Sequence, residues 1–184
     1  MLIRNSIAWL ILMCTCQANA GTVFVNVNAI GANNGSSWND AFVHFQDALT
    51  AATAADDIWI AKGVYYPDRG LGLTNNDTSL FFKLKTDVAI YGGFLDNEGQ
   101  LTDRRPHINS VILSGDIDHN DETNNGVVMS VANIKGNNSR RILHCHDAEC
   151  ENSTLDGVTI TAGNGFVSPS QHGGAIQIKM AHLH

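Results

Sequence analysis

The chain has 184 residues and a net charge of −7, with charged residues at 16%, well below the roughly 25% usual for soluble domains. Asn takes their place: 19 Asn stand beside 17 Gly and 3 Pro, a composition that turns the chain often and does so with neutral polar groups. The acidic balance argues against nucleic acid and against an anionic membrane surface as partners.

The N-terminus reads as a secretory signal peptide over 1–20. Arg4 supplies the positive start, Ile7 to Met13 an apolar run, and Ala18-Asn19-Ala20 a small-residue cleavage site before Gly21. The run is too short to span a bilayer, and no later run reaches membrane-spanning length. Cleavage leaves 164 residues, 21–184, enough for one domain with a real core; losing Arg4 moves the charge from −7 to −8.

"TVFVNVNA" (Thr22–Ala29) alternates with period two and predicts a strand. After the loop "IGANNGSS", Ser37 and Asp40 have the spacing of a capping box, and Phe42, Phe45, Leu49 and Ala52 form one apolar stripe, predicting an amphipathic helix. "IWIAKGVYYP" returns to strand. A strand–helix–strand opening raises a doubly wound α/β fold, but no second segment of helical period follows. Short runs rich in Val, Ile and Phe come instead, "SLFFKLKTDVAIYGGF", "SVILSGDI", "GVVMSV", "RRILHCH", "STLDGVTIT" and "GGAIQI", separated by Gly, Asn and Asp. That pattern fits a sandwich, a barrel or a β-solenoid. "VAIYGGF", "VILSGD" and "VTITAGNG" overlay one another; their starts, Val88, Val111 and Val158, are 23 and 47 residues apart, a second gap with room for two repeats of a solenoid. In the last of them, Leu155, Val158 and Ile160 read as core, Thr159 and Thr161 as outward, and Asp156-Gly157 as a bend.

Chemistry-bearing groups gather in two places. In "GDIDHNDETNN", Asp116, Asp118 and Asn120 have the 1-3-5 spacing that begins a calcium loop, with Asp121 beside them. The sixth position is not Gly and the twelfth is Val127, which excludes an EF-hand and leaves a looser calcium site and a solvated acidic turn both open. In "HCHDAEC", Cys145 and Cys150 are the two cysteines left after the leader; a disulfide, two free thiols and a metal site with His144, His146 and Asp147 all remain open. No carboxylate is fixed by spacing to Arg104-Arg105 or Arg140-Arg141, which read as solvated loop cations. Trp59, Tyr65, Tyr66, Phe81, Phe82, Tyr91 and Phe94 offer sugar-stacking surface where exposed; Phe82 and Tyr91 are assigned to the core, while Tyr65 and Tyr66 precede a loop and are assigned to it less readily. No catalytic constellation and no nucleotide loop stands out.

The ordered set "GSSW", the Ala-rich helix, "IWIAKGVYYP", "YGGF", "LSGDID" and "LDGVTITAGNG…GGAI" resembles the N-terminal part of secreted bacterial right-handed parallel β-helix proteins of the pectate-lyase-like superfamily, often labelled polymorphic outer-membrane-protein-like. The likeness runs from about Thr22 to Ile178. It implies a mainly β fold: a right-handed parallel β-helix whose first coil is capped by the N-terminal helix. It also implies an extracellular or cell-surface, outer-membrane-associated location and polysaccharide or other cell-surface components as partners. Pectate lyases of this superfamily use calcium, clustered Asp and an Arg base; the polygalacturonases carry clustered Asp with Gly-His-Gly and Arg-Ile-Lys. The last two elements are missing here, since His172 precedes Gly173-Gly174 without the leading Gly. A structural, adhesive or glycan-binding module is therefore the expected function. A polysaccharide lyase or glycosidase whose catalytic coils lie beyond His184 is the alternative. No polar cap follows "GGAIQIKMAHLH", so the sequence reads as a truncated solenoid able to self-associate through its uncapped C-terminal coil.

Overall fold

A computed structural model describes residues 20–165 and 174–179. The expected leader lies outside them but for Ala20, as does His172.

Among the described residues the protein is mainly β, with one short α-helix and three small sheets in which every pairing is parallel. The first sheet holds β1 (Thr22–Val25), β2 (Asp57–Ala61), β5 (Ala89–Phe94) and β10 (Thr154–Asp156), neighbours in that order. The second holds β3 (Gly63–Tyr65), β6 (Val111–Ser114) and β11 (Val158–Thr161). The third holds β4 (Phe82–Lys83), β9 (Leu143–His146) and β12 (Ile176–Lys179). From β2 onward the chain visits first, second and third sheet in turn, three times over. A hairpin of β7 (Thr123–Asn124) and β8 (Val127–Val128) is the antiparallel exception.

Register explains the core. Val23, Ile58, Ile90 and Leu155 occupy one row across the first sheet. Tyr65, Leu113 and Ile160 do so in the second, and Phe82, Leu143 and Ile176 in the third. Successive strand residues face opposite sides, so these rows point one way and bury together; Ile58, Ile90, Leu113 and Phe82 are fully enclosed. Phe45 on the helix meets Phe82 with ring centroids 4.8 Å apart, and a cavity at such a site costs about 3–5 kcal/mol.

The helix, α1 (Phe45–Ala51), is shorter than the apolar stripe predicts. Ser37 and Asp40 do exchange hydrogen bonds, Asp40 N donating to Ser37 Oγ at 3.1 Å and Ser37 Oγ to Asp40 Oδ2 at 3.2 Å, but they close a turn upstream. Phe42 is engaged in a parallel bridge with Val25, and that pairing holds its backbone out of the helix. Phe45, Ala48 and Leu49 supply the buried face.

The spacing of the three overlaid runs is also revised. Val111 pairs directly with Val158, so the step of 47 residues from one to the other holds one passage around the sheets, lengthened by the hairpin, and not two repeats. Val88 leads into the first sheet, not the second. The hairpin lies over the outer face of the second sheet: Val128 N donates to Thr161 Oγ1 at 2.9 Å, which buries a threonine expected to face solvent. Gly157, at φ 74°, makes the expected bend between β10 and β11.

Candidate functional site

Because Tyr65 pairs with Leu113, the segments leaving β3 and β6 run side by side. They bring Tyr66, Asp68 and Arg69 up to Asp116 and His119. Asp68 is fully buried: Oδ2 accepts from Asn76 N at 2.9 Å and lies 3.6 Å from Arg69 Nε, while Oδ1 has no partner. Asp116 is also buried; Oδ1 accepts from Asn120 N at 3.0 Å and Oδ2 from Asp121 N at 3.3 Å. Burial pushes the Asp116 carboxyl above its ordinary range, against the pull of the Asn120 N–H, and the neighbouring Asp121 charge pushes the same way. Tyr66 is half-buried and its edge meets the His119 ring at 4.3 Å. Its phenol is pushed up by burial and then by the Asp116 charge, with Arg69 opposing. Arg69 Nη2 lies 3.2 Å from His119 Nε2; a guanidinium only donates, so in this contact the ring nitrogen is the acceptor.

The predicted calcium residues fall partly here. Asp118 Oδ2 accepts from Asn120 Nδ2 at 2.9 Å and from Asn137 N at 2.8 Å. Asp121 accepts from Lys135 N at 2.5 Å and Asn138 Nδ2 at 2.7 Å. The oxygens of Asp116, Asp118 and Asp121 are thus largely engaged in closing the 116–121 turn against the 135–138 segment. Among the described residues no three His, Cys, Asp or Glu side chains converge as a metal site.

Cys145 and Cys150 are joined by a disulfide, with Cα atoms 5.6 Å apart. On the outer face of the third sheet, His144 stands in register with Lys83 and Gln177. Burial lowers the pKa of His144, and the nearby charges of Arg141 and His146 lower it further.

Two assignments of cations and aromatics are corrected. Arg104 and Arg141 are only partly exposed and each is engaged by neighbours. Arg104 pairs with Asp156 and lies 5.1 Å above the Tyr91 ring; Arg141 lies 4.9 Å above Phe81 and bonds Gln177 at 2.5 Å. Tyr65 is core, its hydroxyl donating to Ala61 O at 2.8 Å, while Tyr91 is half-exposed because it faces outward beside Trp59. Phe82 is core as expected. Trp59 and Phe94, both buried, stack at 4.7 Å within an outer cluster with the half-buried Phe24 and Trp38.

Three half-exposed rings therefore share one design. Tyr66, Phe81 and Tyr91 each face outward, and each is braced by His119, by Arg141 and His144, or by Arg104. A braced ring is a rigid apolar platform, and Tyr66 and Tyr91 add a hydroxyl at its rim. The roles of Asp68, Arg69 and His119 were not legible from spacing, since they meet only through the β3–β6 register. No protein-family model matches the chain, and neither a curated protein nor a solved structure matches it. No helix among the described residues is long and apolar enough to cross a membrane.

Proposed function

We propose that the chain is an exported, cell-surface module wound as a right-handed parallel β-helix, acting as a structural or adhesive element that binds glycan. The repeated visiting order of the three parallel sheets supports the solenoid. Parallel crossovers within a sheet are right-handed almost without exception. Contacts of α1 with β1, β2 and β4 fit a terminal cap. The observation that carries glycan binding is the trio of braced, outward rings Tyr66, Phe81 and Tyr91, since sugars stack on rigid aromatic faces.

The test is an array of bacterial and plant glycans probed with the mature chain. Retention on at least one glycan, reduced about tenfold by Tyr66→Ala or Tyr91→Ala and without release of shortened products, is expected. The second reading, a polysaccharide lyase or glycosidase, draws on the buried carboxylates Asp68 and Asp116 beside Tyr66. Depolymerisation that is lost in Asp116→Asn would replace the first reading with the second.

A further inference from the structure

The first described strand begins against a buried acid. Gly21 N donates to Asp56 Oδ1 at 2.9 Å, and Gly21 O accepts from Asp57 N at 2.9 Å. Asp56 Oδ2 is held by Thr53, from N at 2.7 Å and from Oγ1 at 2.9 Å. Asp56 is only 9% exposed. Two carboxylates, Asp56 and Asp57, meet here with one ammonium, Lys85, whose Nζ donates to the carbonyls of Ala52 and Thr50 at the end of α1. The Lys85 ammonium lowers the Asp56 carboxyl while resting on carbonyl oxygens, and no cation hydrogen-bonds Asp56 directly among the described residues. Residue 21 has no side chain to obstruct that carboxyl; a Cβ there would stand 3.1 Å from Asp56 Oδ1.

We propose that Asp56 is the acceptor site for a processed N-terminus: leader removal between Ala20 and Gly21 creates an α-ammonium that pairs with the Asp56 carboxylate and fastens β1 to β2. The inference rests on the exported reading above. In the step itself a leader-removing peptidase adds water across the Ala20–Gly21 amide. The C–N bond breaks, hydroxyl goes to the Ala20 carbonyl carbon, and a proton goes to the Gly21 nitrogen, which takes a second proton from solvent. A neutral amide with one N–H becomes an ammonium with three, in place beside Oδ1. The charge-assisted bond to Asp56 Oδ1 replaces a weaker neutral donor.

The pH dependence follows. An α-amino group ordinarily titrates near pH 7.7–8.0; pairing with Asp56 raises that value. The added stability is therefore full below about pH 8 and disappears as pH rises through the raised value. At the acid end, burial works to raise Asp56, but the Thr53 and Gly21 N–H groups, the Thr53 hydroxyl and Lys85 hold it below its ordinary range. Its contribution is present above about pH 4 and lost as pH falls through the lowered value.

The test begins with mass spectrometry of the secreted protein, which should start at Gly21. Thermal unfolding of that chain is then compared with the same chain acetylated at Gly21, which restores the neutral amide without a mutation. The acetylated form should melt about 2–4 °C lower at pH 7 and match the free form near pH 10–11. In Asp56→Asn, free and acetylated forms should melt together. Equal melting of the two wild-type forms at pH 7 overturns the inference and leaves the exported reading standing. A secreted chain that starts elsewhere overturns the inference, and a chain retained uncleaved in the cell overturns the exported reading with it.

Discussion

Neighbouring residues of one type take different fates from their backbone positions. Arg104 and Arg105 look alike in sequence. Arg104 turns toward β10, pairs with Asp156, covers Tyr91 and is 20% exposed in its side chain, whereas Arg105 is exposed and contributes its backbone N–H to Gly93 O at 2.7 Å. The Arg104 carboxylate partner is itself half-exposed, so the ion pair is screened and the stacking carries much of the effect. Arg104→Ala should destabilise by about 1 kcal/mol and Arg105→Ala by less than about 0.5 kcal/mol in urea unfolding; equal losses would mean that the pair and the stacking contribute nothing. Tyr65 and Tyr66 follow the same logic. Composition gives both as aromatic and strand-like, but only the pairing of Tyr65 with Leu113 decides which ring points into the core. Local spacing could not supply that, since it depends on a strand nearly fifty residues away.

Elements were legible where their period was local. Every strand run read from the sequence has a counterpart among the described strands, with Leu155, Val158 and Ile160 packed against the core. The helix was over-read because Phe42 has the helical spacing yet bridges Val25. Repeat length was misread because two strands in register, Val111 and Val158, enclose an inserted hairpin whose presence changes length without changing register. The bend between β10 and β11 was correctly placed at Asp156-Gly157, and the geometry shows why glycine is needed. At φ 74° a side chain is strained, and a Cβ on Gly157 would come within 2.5 Å of Gly92 O on the neighbouring strand. Gly157→Ala should therefore cost about 1–3 kcal/mol and break the register of β10 against β5. Loss of hydrogen-exchange protection at Asp156 and Tyr91, together with the lower urea midpoint, would show this. A variant as stable as the parent would mean that the corner relaxes freely.

At the scale of the whole molecule the two ends of the stacked sheets differ. On one side α1 covers the first strands, and Phe45 and Ala48 close the core against them. On the other, β10, β11 and β12 are the outer members of their sheets, and among the described residues no strand pairs with their free edges. Burial records the difference within a single row: Phe82 is 0% exposed, Leu143 1%, and Ile176, the next residue across, 50%. Ile178, beside Cys145, is 60% exposed. Unpaired parallel edges carry open N–H and C=O groups next to this apolar row, the combination that recruits another strand edge. A second copy meeting the same end through a two-fold axis offers a matching apolar row and matching edges, while at the other end α1 packs on the core. Residues 21–184 taken by themselves should therefore associate reversibly in sedimentation experiments over roughly 1–100 μM, and Ile176→Lys with Ile178→Lys should shift them to monomer without changing the far-ultraviolet circular dichroism. A parent chain that stays monomeric across that range would show that the open end does not self-associate at these concentrations.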